Sequence, residues 1–141
     1  MYIPSVAESE DFLPTYANPG DAGADLKSSV TTTVYAGQRL TVPTGVSVAI
    51  PKGHVGFITP RSGLAARYGI TVLNTPGTID SGYRGELKVI LYNTTDTDYF
   101  IEEGDRIGQL VIVPFIHAHF TPVESLEDSV RGEGGFGSTG A

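Results

Sequence analysis

Apolar and polar positions alternate over short stretches along nearly the whole chain, and glycine or proline breaks the pattern every few residues. The stretches Val30–Tyr35, Arg39–Val42, Val46–Ile50, Val55–Ile58, Thr71–Leu73, Leu87–Tyr92, Tyr99–Ile101, Gly108–Val113 and His117–Val123 are rich in β-branched and aromatic residues. Some alternate with period two, and others are brief continuous apolar runs, as strands of a sandwich or barrel interior are. Short strands at a spacing of about 8–12 residues predict an all-β domain, a distorted jelly-roll or barrel-like sandwich. Only Ser62–Arg67 has helical character, for one to two turns, with Gly69 as its stop. No internal repeat is visible. From Glu124 onward the chain turns acidic and then glycine-rich, with too few apolar residues to pack alone. The expected organisation is a β domain over 1–123 and a flexible C-terminal arm over 124–141.

Composition narrows the function classes. A chain of 141 residues is most simply one domain, and that length buries roughly two-thirds of its unfolded surface. No apolar run approaches the roughly 18 residues of a membrane span. The start Met1-Tyr-Ile-Pro-Ser-Val-Ala-Glu lacks a basic stretch followed by an apolar one, so a cytoplasmic setting (nuclear in a eukaryote) is expected. The absence of cysteine excludes disulfides, thiolate catalysis and cysteine-held zinc. Net charge is −7 and the nine basic residues form no stripe, which argues against binding along nucleic acid. A small anion is still a possible ligand, but it needs a few focused donors to overcome the global field.

Several segments could supply such chemistry. In Arg61-Ser62-Gly63-Leu64, Ser62 reads as a helix N-cap and Arg61 as a forked donor for phosphate oxygens; a capped surface turn with a salt-bridging arginine is the plainer alternative. Asn74 follows a strand and carries both donor and acceptor, as a nucleobase edge does. Asp80 stands on a glycine-bracketed hairpin, Gly77–Gly85, where it could hold or deprotonate a water or simply form an Asx turn. Tyr83 on the same hairpin is by default a cross-strand aromatic. Asp25 reads as a lone carboxylate near a glycine turn that could orient hydrated Mg²⁺. Gln109 opens an apolar strand. The tail Arg131-Gly-Glu-Gly-Gly-Phe-Gly-Ser-Thr-Gly140 approximates two phosphate-loop patterns, but Ser138 replaces the lysine of one and no βαβ unit supports the other. A glycine-rich backbone with Arg131 and Phe136 can nonetheless wrap an anion and cover a base. His117 and His119 would share a strand face, and no third metal ligand accompanies them.

Taken in order, Asp21-Ala-Gly-Ala-Asp-Leu-Lys-Ser-Ser29, Pro60-Arg-Ser-Gly-Leu64, Asn74-Thr-Pro-Gly-Thr-Ile-Asp-Ser-Gly-Tyr-Arg-Gly-Glu86, Gly104-Asp-Arg-Ile-Gly-Gln-Leu110 and the tail resemble the trimeric deoxyuridine triphosphatases. The resemblance implies Mg²⁺-assisted hydrolysis of dUTP to dUMP and pyrophosphate on a jelly-roll homotrimer, which limits uracil in DNA and supplies dUMP for thymidylate synthesis. It implies that Asp80 positions the water attacking the α-phosphorus. Asn74 and the backbone of Gly77, Thr78 and Ile79 would read uracil, and Tyr83 would lie under the deoxyribose and exclude a 2′-hydroxyl. Lys88 would join the substrate contacts. Arg61, Ser62, Gly63 and Gln109 would hold phosphates, with Asp25 reaching the metal through water and not as a direct ligand. From the tail, Arg131 would reach the γ-phosphate, Gly137, Ser138 and Thr139 would add donors, and Phe136 would cover the base. Each site would draw on all three subunits. Ala24 and Gly108 depart from residues common in the family, without removing a donor. A dCTP deaminase of the same superfamily and a nucleotide-gated binding protein are the alternatives. The first expects an acid beside the base additional to Asp80; the second has no dedicated insertion to support it.

Overall fold

The computed structural model describes residues 1–135. Among them lie the strands β1 (Ser5–Ala7), β2 (Gly23–Lys27), β3 (Thr32–Val34), β4 (Arg39–Pro43), β5 (Val46–Val48) and β6 (His54–Thr59). Helix α1 (Ser62–Tyr68) follows, and then β7 (Ile70–Val72), β8 (Gly77–Ile79), β9 (Lys88–Asn93), β10 (Tyr99–Ile101) and β11 (Arg106–Pro114). All pairings are antiparallel. Four strands run in the order β2-β11-β6-β8 and three in the order β4-β9-β7, and β1-β5 and β3-β10 form two-stranded ribbons. Neighbours so distant in sequence, such as β2 beside β11 and β3 beside β10, give the all-β jelly-roll-like architecture that the strand spacing predicts. No helix is long and apolar enough to cross a membrane among the described residues.

The core follows from the period-two pattern. In β9, Val89 and Leu91 point inward and are fully buried, while Ile90 and Tyr92 alternate outward. Leu26, Val34, Val42, Ile101 and Ile107 complete the same cluster from the other sheets and ribbons. Burying each such side chain stabilises by roughly 1.5–3 kcal/mol. Polar groups inside the core are matched. Asn93 donates to the carbonyls of Val34 and Thr97 and accepts from the backbone and hydroxyl of Thr95. Thr44 Oγ1 donates to the Leu87 carbonyl at 2.7 Å. Among the described residues no buried side-chain polar atom lacks a partner, as a well-formed interior requires.

Most expected strands occur within a residue or two of their predicted ends, and the helix with its Gly69 stop is present, Gly69 taking the left-handed φ of 62°. Four local readings differ. Arg61, not Ser62, occupies the N-cap position, and no side chain caps the helix; Ser62 is its first helical residue. The region Gly77–Gly85 is not a hairpin: β8 pairs with β6, and β9 belongs to the other sheet. His117–Val123 forms no strand, because alternation alone is not enough without a partner ladder, and none is present among the described residues. β1, β2 and β8 lie outside the expected strands; they are three to five residues long, β2 and β8 carry glycine within the run, and β1 (Ser-Val-Ala) is too short to show a period.

Candidate active site

Two clefts collect the predicted chemistry. The first, of about 410 Å³, lies where β6 passes into α1 and is lined by Arg61, Ser62, Gly63, Arg67, Arg106 and Gln109, among others. The opening amides of any helix have no intrahelical acceptor, so the start of α1 adds backbone donors to three guanidinium groups. The local field is positive although the chain carries −7 overall. Tyr68 closes one side and packs on Tyr99 with ring centroids 5.2 Å apart. Burial, with Asp105 and Tyr68 beside it, pushes the Tyr99 phenol above the usual tyrosine range, so it stays a neutral packing partner for the helix.

Asp25 organises this cleft. It is no turn residue: it sits mid-strand in β2 and is buried, with 3% exposure. Nor is it alone. Arg61 Nε donates to its Oδ1 at 3.0 Å, Gln109 Nε2 to the same oxygen at 3.2 Å, and Arg106 Nη1 to Oδ2 at 3.3 Å. Because Arg61 commits its Nε edge to the carboxylate, its two terminal nitrogens are left for a ligand. Gln109 likewise keeps one N–H. Gln109 lies inside β11 opposite both Asp25 and Thr59, and does not open the strand. Sequence reading missed Arg67 and Arg106. Helical spacing could have found Arg67, which comes four residues after Gly63 and so lies on the same face of the helix.

The second cleft, of about 280 Å³, contains Thr78, Ile79, Asp80, Tyr83, Glu86 and Lys88. Asp80 follows β8 directly, and its carbonyl accepts the Tyr83 amide at 3.0 Å, closing a turn. Tyr83 is half-exposed and folds back so that its hydroxyl donates to the Glu86 carbonyl at 3.0 Å. Its ring passes so close to Gly85 that a Cβ there would collide with it. Arg84 Nη1 donates to the carbonyls of Ser81 and Tyr83, at 2.8 and 2.7 Å, and pins the turn. Lys88 Nζ stands 3.8 Å from Glu86 Oε2. The Asn74 amide lies against Gly77, which is buried opposite Ile58.

The two clefts lie at opposite ends of β6. Gly77 faces Ile58 and Ile79 faces Gly56. One step further, Asp80 stands level with Val55, about 13 Å along the strand from Thr59 at about 3.3 Å per residue, and Arg61 lies beyond Thr59. Arg131 is not among the residues lining either cleft; its Nε donates to the Gly134 carbonyl at 2.9 Å. Phe136, Gly137, Ser138 and Thr139 lie outside the described residues.

Comparison with known proteins identifies the family. The dUTPase family model matches residues 10–140. The deoxyuridine 5′-triphosphate nucleotidohydrolase of Cutibacterium acnes is 54% identical over 141 residues, covering 99% of this chain and 92% of the relative. That of Leifsonia xyli is 52% identical over 139 residues, covering 98% and 90%. Among solved structures, the Staphylococcus bacteriophage 80alpha dUTPase with dUpNHpp superposes with a TM-score of 0.90 at 31% identity, over 99% of both chains. A mutant dUTPase of phage phi11 of S. aureus, described with a structural Mg(II) ion, superposes with a TM-score of 0.81 at 28% identity, over 91% of this chain and all of that one. An all-β jelly-roll-like fold, a family match across nearly the whole length and relatives at half identity or better together establish that the chain belongs to the dUTPase family of dUTP-hydrolysing enzymes.

Proposed function

We propose that the enzyme cleaves dUTP to dUMP and pyrophosphate by in-line attack of a water held by Asp80 on the α-phosphorus, in sites shared between the copies of a homotrimer. The observation that carries this reading is the pair of complementary half-sites: a cationic cleft without a base-reading element, and a cleft with a carboxylate and an aromatic but little positive charge. Attack needs the reacting atoms about 3–3.5 Å apart, whereas one chain holds its Asp80 and its phosphate donors at opposite ends of β6. A neighbouring copy that docks its cationic cleft against the Asp80 cleft removes that separation.

Each residue then has a defined task. Arg61, Ser62, Gly63 and Gln109 bind and orient the triphosphate, and Asp25 fixes the guanidinium and amide edges that do so. Asn74 and the backbone of Gly77, Thr78 and Ile79 read the uracil edge, and Lys88 lies beside them. Tyr83, held down by its hydrogen bond to Glu86, fills the space a 2′-hydroxyl would need. Asp80 accepts a proton from the attacking water or holds it in line; with no nucleophilic triad present, positioning and charge neutralisation are what phosphoryl chemistry asks of the protein. Arg131 and the tail residues Phe136, Gly137, Ser138 and Thr139 come from a third copy and exclude water.

A magnesium ion fits these residues in one way. No group of three His, Cys, Asp or Glu side chains could cage it among the described residues. Asp25 has three of its roughly four lone-pair sites occupied, which leaves room for one hydrogen bond from a metal-bound water. Mg²⁺ typically keeps its waters and is held largely by substrate phosphates, and it would supply neutralisation of their charge. The physiological role that follows is removal of dUTP and provision of dUMP, in a cytoplasmic or nuclear setting.

Pyrophosphate release measured separately from dUTP, UTP, dTTP and dCTP, with and without Mg²⁺, tests the whole reading. Release from dUTP alone, and only with the metal, is expected. Ammonia from dCTP would replace it with a deaminase reading.

A further inference from the structure

Arg106 and Gln109 are three residues apart in β11. In a regular strand, residues three apart point to opposite faces, yet these two meet the same carboxylate, Arg106 at Asp25 Oδ2 and Gln109 at Oδ1. The reason is a register slip. Gln109 faces Asp25 and Gly108 faces Leu26, but Arg106, not Ile107, faces Lys27. Ile107 is the extra residue and goes into the core with 1% exposure. The slip reverses the parity of the strand and turns Arg106 into the cationic cleft. Bulges are over-represented beside active sites, where they re-aim a side chain.

The placement has a local cost. Arg106 is set directly opposite Lys27, and like charges across a ladder are destabilising. One buried carboxylate serves both Arg61 and Arg106, so the cleft keeps a surplus of positive charge. The Arg106 side chain is 52% exposed, and its Nη2 and Nε make no hydrogen bond among the described residues.

We propose that Arg106 is a substrate-binding residue, its uncommitted guanidinium edge taking an oxygen of the pyrophosphate portion of the nucleotide, with the bulge at Ile107 as the device that presents it. This rests on the dUTP reading above. The test is calorimetric binding of dUMP and of the non-hydrolysable imido analogue of dUTP, with Mg²⁺, to the wild type, Arg106→Ala and Arg106→Lys. Arg106→Ala should weaken the imidotriphosphate by about tenfold to a hundredfold, the range for a hydrogen bond to a charged group. It should leave dUMP affinity unchanged, and Arg106→Lys should fall between. In an Arg61→Lys background the loss should be undiminished, since a residue acting only through Arg61 would show a reduced effect. Unchanged imidotriphosphate affinity in Arg106→Ala, or a loss that vanishes in the Arg61→Lys background, overturns the assignment. A wild type that binds no imidotriphosphate would instead remove the substrate reading itself.

Discussion

Asp80 sits on the turn after β8, in the cleft with Tyr83. Asp80→Asn keeps the shape and removes the proton acceptor, so kcat should fall by at least roughly 10²-fold, the low end for a lost general base, with dUTP binding nearly intact. Turnover close to wild type in a stopped-flow assay would move the water-positioning role elsewhere. Gly85 tests Tyr83 from the other side. A methyl there collides with the tyrosine ring, so Gly85→Ala should displace it and raise kcat/KM for UTP relative to dUTP; an unaltered ratio would separate sugar selection from Tyr83. These turn residues were legible because polar and aromatic positions between glycines have few places to go. Asp25 was not, since a carboxylate beside glycine looks like a turn residue until its partners Arg61, Arg106 and Gln109 arrive from distant segments. Arg106 was hidden for a different reason: period-two counting puts it on the face away from Gln109, and only the slipped register reverses that.

Elements were recognised where burial was one-sided and strong. β9 and β11 carry enough alternating Val, Ile and Leu to announce themselves. β8 does not, since Gly-Thr-Ile is too short to show a period and gains its strand character from the β6 ladder. The expected strand over His117–Val123 differs in the opposite sense: it has the alternation, while Ile116 and Phe120 stand almost fully exposed and the segment pairs with no strand among the described residues. Helix α1 begins at Ser62 as the sequence predicts, but its cap lies one residue earlier than expected. Arg61 holds the N-cap position with no side-chain capping bond, so Ser62→Ala should change thermal stability by less than about 0.5 kcal/mol, where loss of a true capping serine costs about 1. The same variant should weaken phosphate binding. A drop in unfolding free energy of 1 kcal/mol or more by chemical denaturation would restore the capping role.

At the scale of the whole molecule, the C-terminal region past β11 exposes Ile116, Phe120, Leu126 and Val130, which suits an arm reaching a neighbouring copy. Light scattering should therefore give three times the 14.9 kDa chain mass at micromolar concentration. Removing residues 131–141 should leave that mass and the melting temperature alone while sharply lowering kcat; a truncated enzyme at full rate would make the tail an appendage. The separation of Asp80 from Arg61 along β6 also has a genetic meaning. Two alleles, one encoding Asp80→Asn and the other Arg61→Ala, would each make a silent protein. If every site takes its carboxylate from one copy and its arginine from another, co-expression lets the two lesions segregate into different sites. In randomly mixed cyclic trimers about one site in four then receives both intact groups. Two dead genes would complement each other within a single assembly, and an enzyme whose sites each lay within one chain could never do so.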